Sequence, residues 1–360
     1  MSKHYIIPIF VPHLGCPHDC VFCNQRKIAS SITDITPEDV RNTMEEYLGY
    51  FRQNSFIEVA FYGGSFTAID MDIQSSLLKI PYEYKKRGII HEIRLSTRPD
   101  AIDETILNNL NRYDVDTIEL GVQSMDKEVL DASGRGHTVE DVFKAVDLIK
   151  SFGFKLGLQM MIGLPKDNLN RDVKTAMEFI DLKPDCVRIY PTLVIRDTYL
   201  EKELYAGRYM ALKIDEAINI STILLMLFYL NKINVIRVGL QVTENIQLGK
   251  DVIDGPFHPA FRQLVESNVY REILTSYFSK MGVDTEGKIL KITANKKAIS
   301  SISGQKSSNI EYLVRRYGFK KVKIYEDDID LTHICVEIDE LYDKIDLDLY
   351  MRSYLSDYIW

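Results

Sequence analysis

Cys16, Cys20 and Cys23 share one short loop of this 360-residue chain, spaced Cys-x3-Cys-x2-Cys directly after an apolar run. Three thiolates this close can hold three irons of a [4Fe–4S] cluster and leave the fourth iron without a protein ligand. A vacant iron is what S-adenosylmethionine needs in order to chelate through its amine and carboxylate before one-electron cleavage. The competing reading is a zinc site completed by His13 or His18. Structural zinc loops usually bring cysteines in two separated pairs, and here the two remaining cysteines, Cys186 and Cys335, are isolated. The cluster is therefore the expectation.

Five cysteines, three of them in one loop, suit a reducing compartment and not a disulfide framework. No charged segment followed by an apolar stretch opens the chain, so secretion is not expected. The longest uncharged stretch, 217–231, is too short to cross a bilayer and reads as a buried helix. A cytoplasmic protein without a membrane span is expected. The net charge of −8 argues against a generic polyanion binder, but the charge is segregated. Residues 288–323 hold ten basic side chains and one acid, whereas 324–360 hold eleven acids against Lys344 and Arg352.

A loop that presents three thiolates to one cofactor needs a rigid frame. The first two-thirds of the sequence alternate short apolar, β-branched runs with longer amphipathic stretches. Strands are predicted over 5–11, 57–62, 92–96, 117–122, 155–162 and 185–190, with helices over 37–51, 72–87, 101–112, 139–152, 171–182 and 210–230. A seventh strand is predicted over 235–240. Such alternation argues for parallel β/α units, as a barrel or a doubly wound sheet. Polar or glycine-rich residues follow the strand ends, at Gly15–Cys16, Gly63–Gly64–Ser65, Thr97–Arg98–Pro99, Gln123–Ser124 and Gly163–Leu164–Pro165. Active sites of β/α barrels gather at that edge, and the cysteine loop sits there too. Breakers near Gly255–Pro256 suggest a boundary, giving a barrel domain over 1–255 and a small α+β domain over 256–360. In the latter, helices are predicted over 260–281 and 309–317, strands over 289–294, 321–325 and 334–338, and an amphipathic segment at the end.

Six ordered strings over roughly 4–245 are similar to those of radical S-adenosylmethionine enzymes, and specifically to the radical domain of the Elongator catalytic subunit and its bacterial relatives. They are the cysteine segment 11–25, Tyr62–Gly63–Gly64–Ser65–Phe66–Thr67, Leu95–Ser96–Thr97–Arg98–Pro99–Asp100, Glu119–Leu120–Gly121–Val122–Gln123–Ser124, Ser133–Gly134–Arg135–Gly136–His137–Thr138, and the segment 188–196. The resemblance implies an α/β fold, a partial (β/α)6 TIM-type barrel open on one side, followed by the small C-terminal α+β domain. It implies that Cys16, Cys20 and Cys23 hold the cluster and that Phe22 lies near the adenine. Gly63 and Gly64 would admit the methionine amine to backbone carbonyls. Gln123 and Arg135 match cofactor-contacting positions of the related coproporphyrinogen oxidases, and Arg135 would pair with the methionine carboxylate. Gln159 sits where relatives bond the ribose.

Other readings stand beside these. Gln123, Gln159 and Glu119 can be satisfied polar groups at strand ends, Arg135 a surface ion pair, His137 a helix cap, and Tyr190 a core-edge tyrosine. Ser96 replaces a carboxylate of the coproporphyrinogen branch, and Gln25 stands where that branch has a fourth cysteine. Two remaining cysteines are too few for the second cluster of methylthiotransferases, and no segment is expected to form the Elongator acetyltransferase domain. Gly304–Gln305–Lys306–Ser307–Ser308–Asn309 resembles the loop of KH modules but lacks its second glycine. The basic block can equally pack against the acidic tail. The expectation is a radical enzyme that cleaves S-adenosylmethionine reductively to a 5′-deoxyadenosyl radical, with tRNA or another RNA as substrate and a donor of flavodoxin or ferredoxin type. Modification of a small metabolite or peptide is the first alternative; an RNA-binding protein with a structural cluster is the second.

Overall fold

The computed structural model describes residues 3–11, 20–24, 35–52, 54–240 and 246–358. Cys16, together with His13, His18 and Gln25, lies outside the described residues. The described residues fall into two compact units, one of 1–212 with 233–257 and the other of 213–232 with 258–360.

The first unit is built on a seven-stranded sheet: β1 (His4–Val11), β2 (Phe56–Gly63), β3 (Glu92–Thr97), β4 (Thr117–Gln123), β5 (Lys155–Ile162), β6 (Cys186–Pro191) and β8 (Asn234–Val238). These strands follow one another in chain order across the sheet, all paired in parallel, and form a partial TIM-type barrel. Burial on both faces is what parallel strands require, and all seven residues of β4 are buried. The connecting helices are α1 (Pro37–Tyr50), α2 (Met71–Lys86), α3 (Glu104–Arg112), α4 (Lys127–Ala132), α5 (Val139–Ser151), α6 (Leu169–Asp181) and α7 (Tyr199–Tyr205). A short antiparallel pair, β7 (Val194–Ile195) with β9 (Val252–Asp254), lies beyond β6.

Short polar side chains start these helices where the sequence leaves a strand. Asp70, Asp103, Asp126, Asn168 and Thr198 each accept a backbone N–H of the first turn. Thr36 with Asp39, and Thr138 with Asp141, form reciprocal capping boxes. Thr138, not His137, is thus the cap of α5. Two short helices, α4 and α7, escaped the periodicity argument because each spans fewer than two helical turns.

The second unit gathers α8 (Ile214–Leu230), α9 (Phe261–Met281), α10 (Ile299–Ser303), α11 (Ser308–Tyr317) and α12 (Leu347–Leu355) with a four-stranded sheet. Its order is β11 (Lys321–Glu326), β10 (Ile289–Ala294), β12 (His333–Ile338) and β13 (Leu341–Asp346). β10 pairs in parallel with β11 and antiparallel with β12, which pairs antiparallel with β13. The basic block meets the acidic tail in three ion pairs here, Lys288–Asp339, Lys291–Glu337 and Lys296–Glu326.

Candidate active site

Residues 20–24 form a turn in which the Cys23 N–H donates to the Cys20 carbonyl at 3.0 Å. Two backbone bonds fasten it to the barrel. The Val21 N–H donates to the Ser133 carbonyl after α4 (3.0 Å), and the Val21 carbonyl accepts the Leu200 N–H of α7 (2.8 Å). Cys20 is buried; Phe22 and Cys23 are half-buried.

Arg135 brings the cysteine turn and β4 together. Its Nη1 donates to Cys20 Sγ at 3.0 Å and its Nη2 donates to the Gly121 carbonyl. The Arg135 carbonyl accepts from Arg98 Nη2, and Arg98 is itself forked onto Asp100 at 2.9 and 3.0 Å. Arg135 is therefore a buried side chain against a thiol, not a surface ion pair. Among the described residues its Nε has no hydrogen-bond partner, and neither has the Oε1 of buried Gln123 on the adjoining bulge. Gln123 holds φ at +73°, a left-handed conformation that turns the strand end. These two buried polar atoms leave hydrogen-bonding capacity that a polar ligand could take up.

The glycine turn after β2 faces the same end. Gly63 has φ of +110°, and a Cβ there would lie 2.5 Å from the Val11 carbonyl oxygen, so only glycine fits. The Gly64 N–H donates to that same carbonyl at 2.9 Å. Ser65 Oγ lies 2.8 Å from Thr97 Oγ1 and accepts the Arg98 N–H at 3.2 Å, which links the glycine turn to Arg98 and so to Arg135. Gly63, Gly64, Gln123, Arg135 and the cysteine turn are thus assembled at the C-terminal edge of the sheet.

Gln159 belongs to a second, deeper set. Its Nε2 donates to Glu119 Oε2 (2.9 Å) and Ser96 Oγ (3.3 Å). Glu119, wholly buried, also accepts from Arg94 Nη1 (2.7 Å) and Arg188 Nε (2.5 Å), while Arg94 Nε donates to buried Glu58 at 2.7 Å. Arg188 Nη2 donates to Tyr62 O–H at 2.9 Å. Two carboxylates face two guanidiniums, so the cluster of charges is balanced inside the barrel. Burial pushes the Glu119 carboxyl up, but Arg188 and then Arg94 outweigh it and hold it below its ordinary value. Burial likewise opposes the charge on Arg94, and Glu119 with Glu58 more than restores it. A Cβ at residue 157 would lie 2.6 Å from Glu119 Cγ, so Gly157 makes the space this carboxylate occupies.

Glu58, Arg94 and Arg188 were not anticipated as site residues. Their signal was a charged side chain within an otherwise apolar strand, which needs a buried partner. His137 is buried too, and burial followed by Arg135 and Arg98 pushes its pKa down to about 3.

Comparison with known proteins bears on the same region. Residues 10–180 match the radical SAM superfamily, and 184–271 match the Radical_SAM C-terminal domain. The chain contains a radical SAM domain. A [4Fe–4S] cluster and S-adenosylmethionine are the cofactors of that superfamily. The tRNA uridine(34) acetyltransferase of Methanocaldococcus jannaschii is 31% identical over 255 residues, 60% of this chain and 47% of that protein. Elongator complex protein 3 of Homo sapiens is 39% identical over 120 residues, 32% of this chain and 22% of that protein. The chain spans about half the length of the curated tRNA uridine(34) acetyltransferases it matches. The solved archaeal Elp3 of Methanocaldococcus infernus shares the fold, with a TM-score of 0.58 at 23% identity, over 78% of this chain and 64% of that one.

The radical SAM edge described above fits the superfamily's cofactors. The Cys20 turn supplies a thiol, and Arg135 Nε and Gln123 Oε1, without partners among the described residues, supply polar contacts; the missing side chain at Gly63 is required by the Val11 carbonyl it packs against.

Proposed function

We propose that this chain cleaves S-adenosylmethionine reductively on a cluster held by Cys16, Cys20 and Cys23, and that it modifies a base in RNA, tRNA above all. When bound, the reduced cluster supplies the single electron that splits the sulfonium and yields a 5′-deoxyadenosyl radical. The observation carrying this reading is Arg135, which ties Cys20 to the end of β4 and keeps Nε free of other partners. In this reading Arg135 holds the methionine carboxylate by charge and fork geometry. Gly63 and Gly64 leave the backbone open to the methionine amine. Gln123 donates or accepts beside the carboxylate, Gln159 meets the ribose, and Phe22 borders the adenine.

The barrel, 1–255, would carry this chemistry and 256–360 would handle the substrate. The RNA assignment is supported by relatives named tRNA uridine(34) acetyltransferase. Among the described residues no helix is long and apolar enough to cross a membrane, and a cytoplasmic site with a flavodoxin or ferredoxin donor accords with five cysteines of which three share one loop. Mass spectrometry of tRNA nucleosides from cells with and without the gene tests the substrate. A nucleoside missing from the deletion strain and restored by wild type but not by Cys20→Ala supports the proposal. Identical nucleoside profiles would overturn it in favour of a small metabolite or peptide.

A further inference from the structure

The second unit leaves one face of its sheet open. On β10, β11 and β12 the residues Leu290, Ile292, Ala294, Val322, Ile334, Val336 and Ile338 are buried, while their alternates point the other way. The pairing registers set those alternates in two rows across the sheet. One row reads Lys323, Lys291, Glu337, Tyr342; the next reads Tyr325, Thr293, Cys335, Lys344, with Cys335 buried and its Sγ accepting the Tyr342 O–H at 3.0 Å. Lys321 extends the first edge. Tyr325 and Tyr342 are 43% and 67% exposed, although burying aromatic rings is the usual outcome of folding.

The positive charge on this face is only partly offset. Glu337 is taken by Lys291 at 2.5 Å, Asp339 by Lys288 and Glu326 by Lys296. Asp346 keeps its charge while capping α12, where it accepts the Leu349 N–H, and Asp330 and Asp327 act electrostatically with Lys344 and Tyr342. Lys321, Lys323 and Lys344 make no ion pair among the described residues. Lysines on edge strands deter strand-to-strand association, but that role does not call for exposed tyrosines beside them.

We infer that this open face is a platform for a single-stranded segment of RNA, with Tyr325 and Tyr342 stacking bases and Lys321, Lys323 and Lys344 meeting phosphates. The inference rests on the proposal that RNA is the substrate class. Every base has a stacking face, so two aromatic rings on opposite edge strands hold a strand without reading its sequence. Three strand spacings separate those edges, roughly 14 Å. An acidic protein is the competing occupant, and it would leave RNA binding unchanged in the lysine and alanine variants.

The test is filter binding of the full chain to a tRNA transcript and to a short polyuridine oligomer across a salt series. Lys321→Gln/Lys323→Gln/Lys344→Gln should flatten the dependence of log K on log salt by about 2, as expected for three phosphate contacts on a single strand. Tyr325→Ala and Tyr342→Ala should each weaken binding roughly 5- to 150-fold, whereas Tyr342→Phe should bind as wild type does. Circular dichroism checks that each variant is folded. If wild type binds RNA and the lysine and alanine variants bind equally well, the face is not the platform, though RNA stands as substrate. If wild type binds neither RNA, and cells lacking the gene keep all their tRNA nucleosides, the RNA reading fails and this inference with it.

Discussion

Glu119 shows how a charge can be placed inside a barrel. It receives both guanidiniums, and neither carboxylate nor guanidinium could be buried alone without a cost of several kcal/mol. Removing one partner leaves the others exposed to that cost. Glu119→Gln should therefore lower the unfolding free energy by about 3–5 kcal/mol in an anaerobic urea titration. His137 sets a pH dependence of its own. Its pKa in the folded chain is near 3 against an ordinary 6.5, so between those values the unfolded chain binds a proton that the buried imidazole does not. Stability should fall as pH drops below 6.5, approaching about 1.4 kcal/mol per pH unit, and continue to fall until about pH 3. Thermal melts across that range should show a shallower fall for His137→Gln. At this scale the sequence was only partly readable. Cys20, Arg135 and Gly63 announced themselves by spacing and string, whereas Arg94 and Arg188 looked like interruptions in β3 and β6. Their partners come from strands 25 and 69 residues away in the chain, a pairing that no local pattern encodes.

Elements were more legible than partners. Seven parallel strands were foreseen because each is a short apolar run flanked by polar strand ends, and parallel burial writes itself directly into composition. α4 and α7 were not, because a single turn or two leaves no periodicity to detect. β13 was hidden for a different reason: Leu341–Asp346 is mostly exposed, so its alternation carries no apolar signal. The glycine turn after β2 joins sequence to site at this scale. Gly63 lies against the end of β1, immediately before the segment that leads to the cysteines. Gly63→Ala should push Val11 out of register, because its Cβ would meet a carbonyl oxygen at 2.5 Å and its φ of +110° disfavours any side chain. The expected result is reduced iron content after reconstitution together with a lower melting temperature; unchanged values in both would mean β1 tolerates the shift.

Across the whole molecule, the first unit offers a strand-end edge suited to a cofactor, and the second offers an open face suited to a polyanion. The net charge of −8 conceals the second property, since three of the ten bases of 288–323 are spent on acids of the tail. Segregation along the sequence was visible; which lysines stay unpaired was not, because that depends on the register of four strands. In the first unit, Cys16, Cys20 and Cys23 are proposed to hold a cluster on which S-adenosylmethionine is cleaved. The most direct measurement is 5′-deoxyadenosine released by the anaerobically reconstituted, dithionite-reduced chain. Wild type should release it, and Cys16→Ala, Cys20→Ala and Cys23→Ala should each release none. A fully assembled cluster that yields no 5′-deoxyadenosine, or a cysteine variant as active as wild type, would contradict the account.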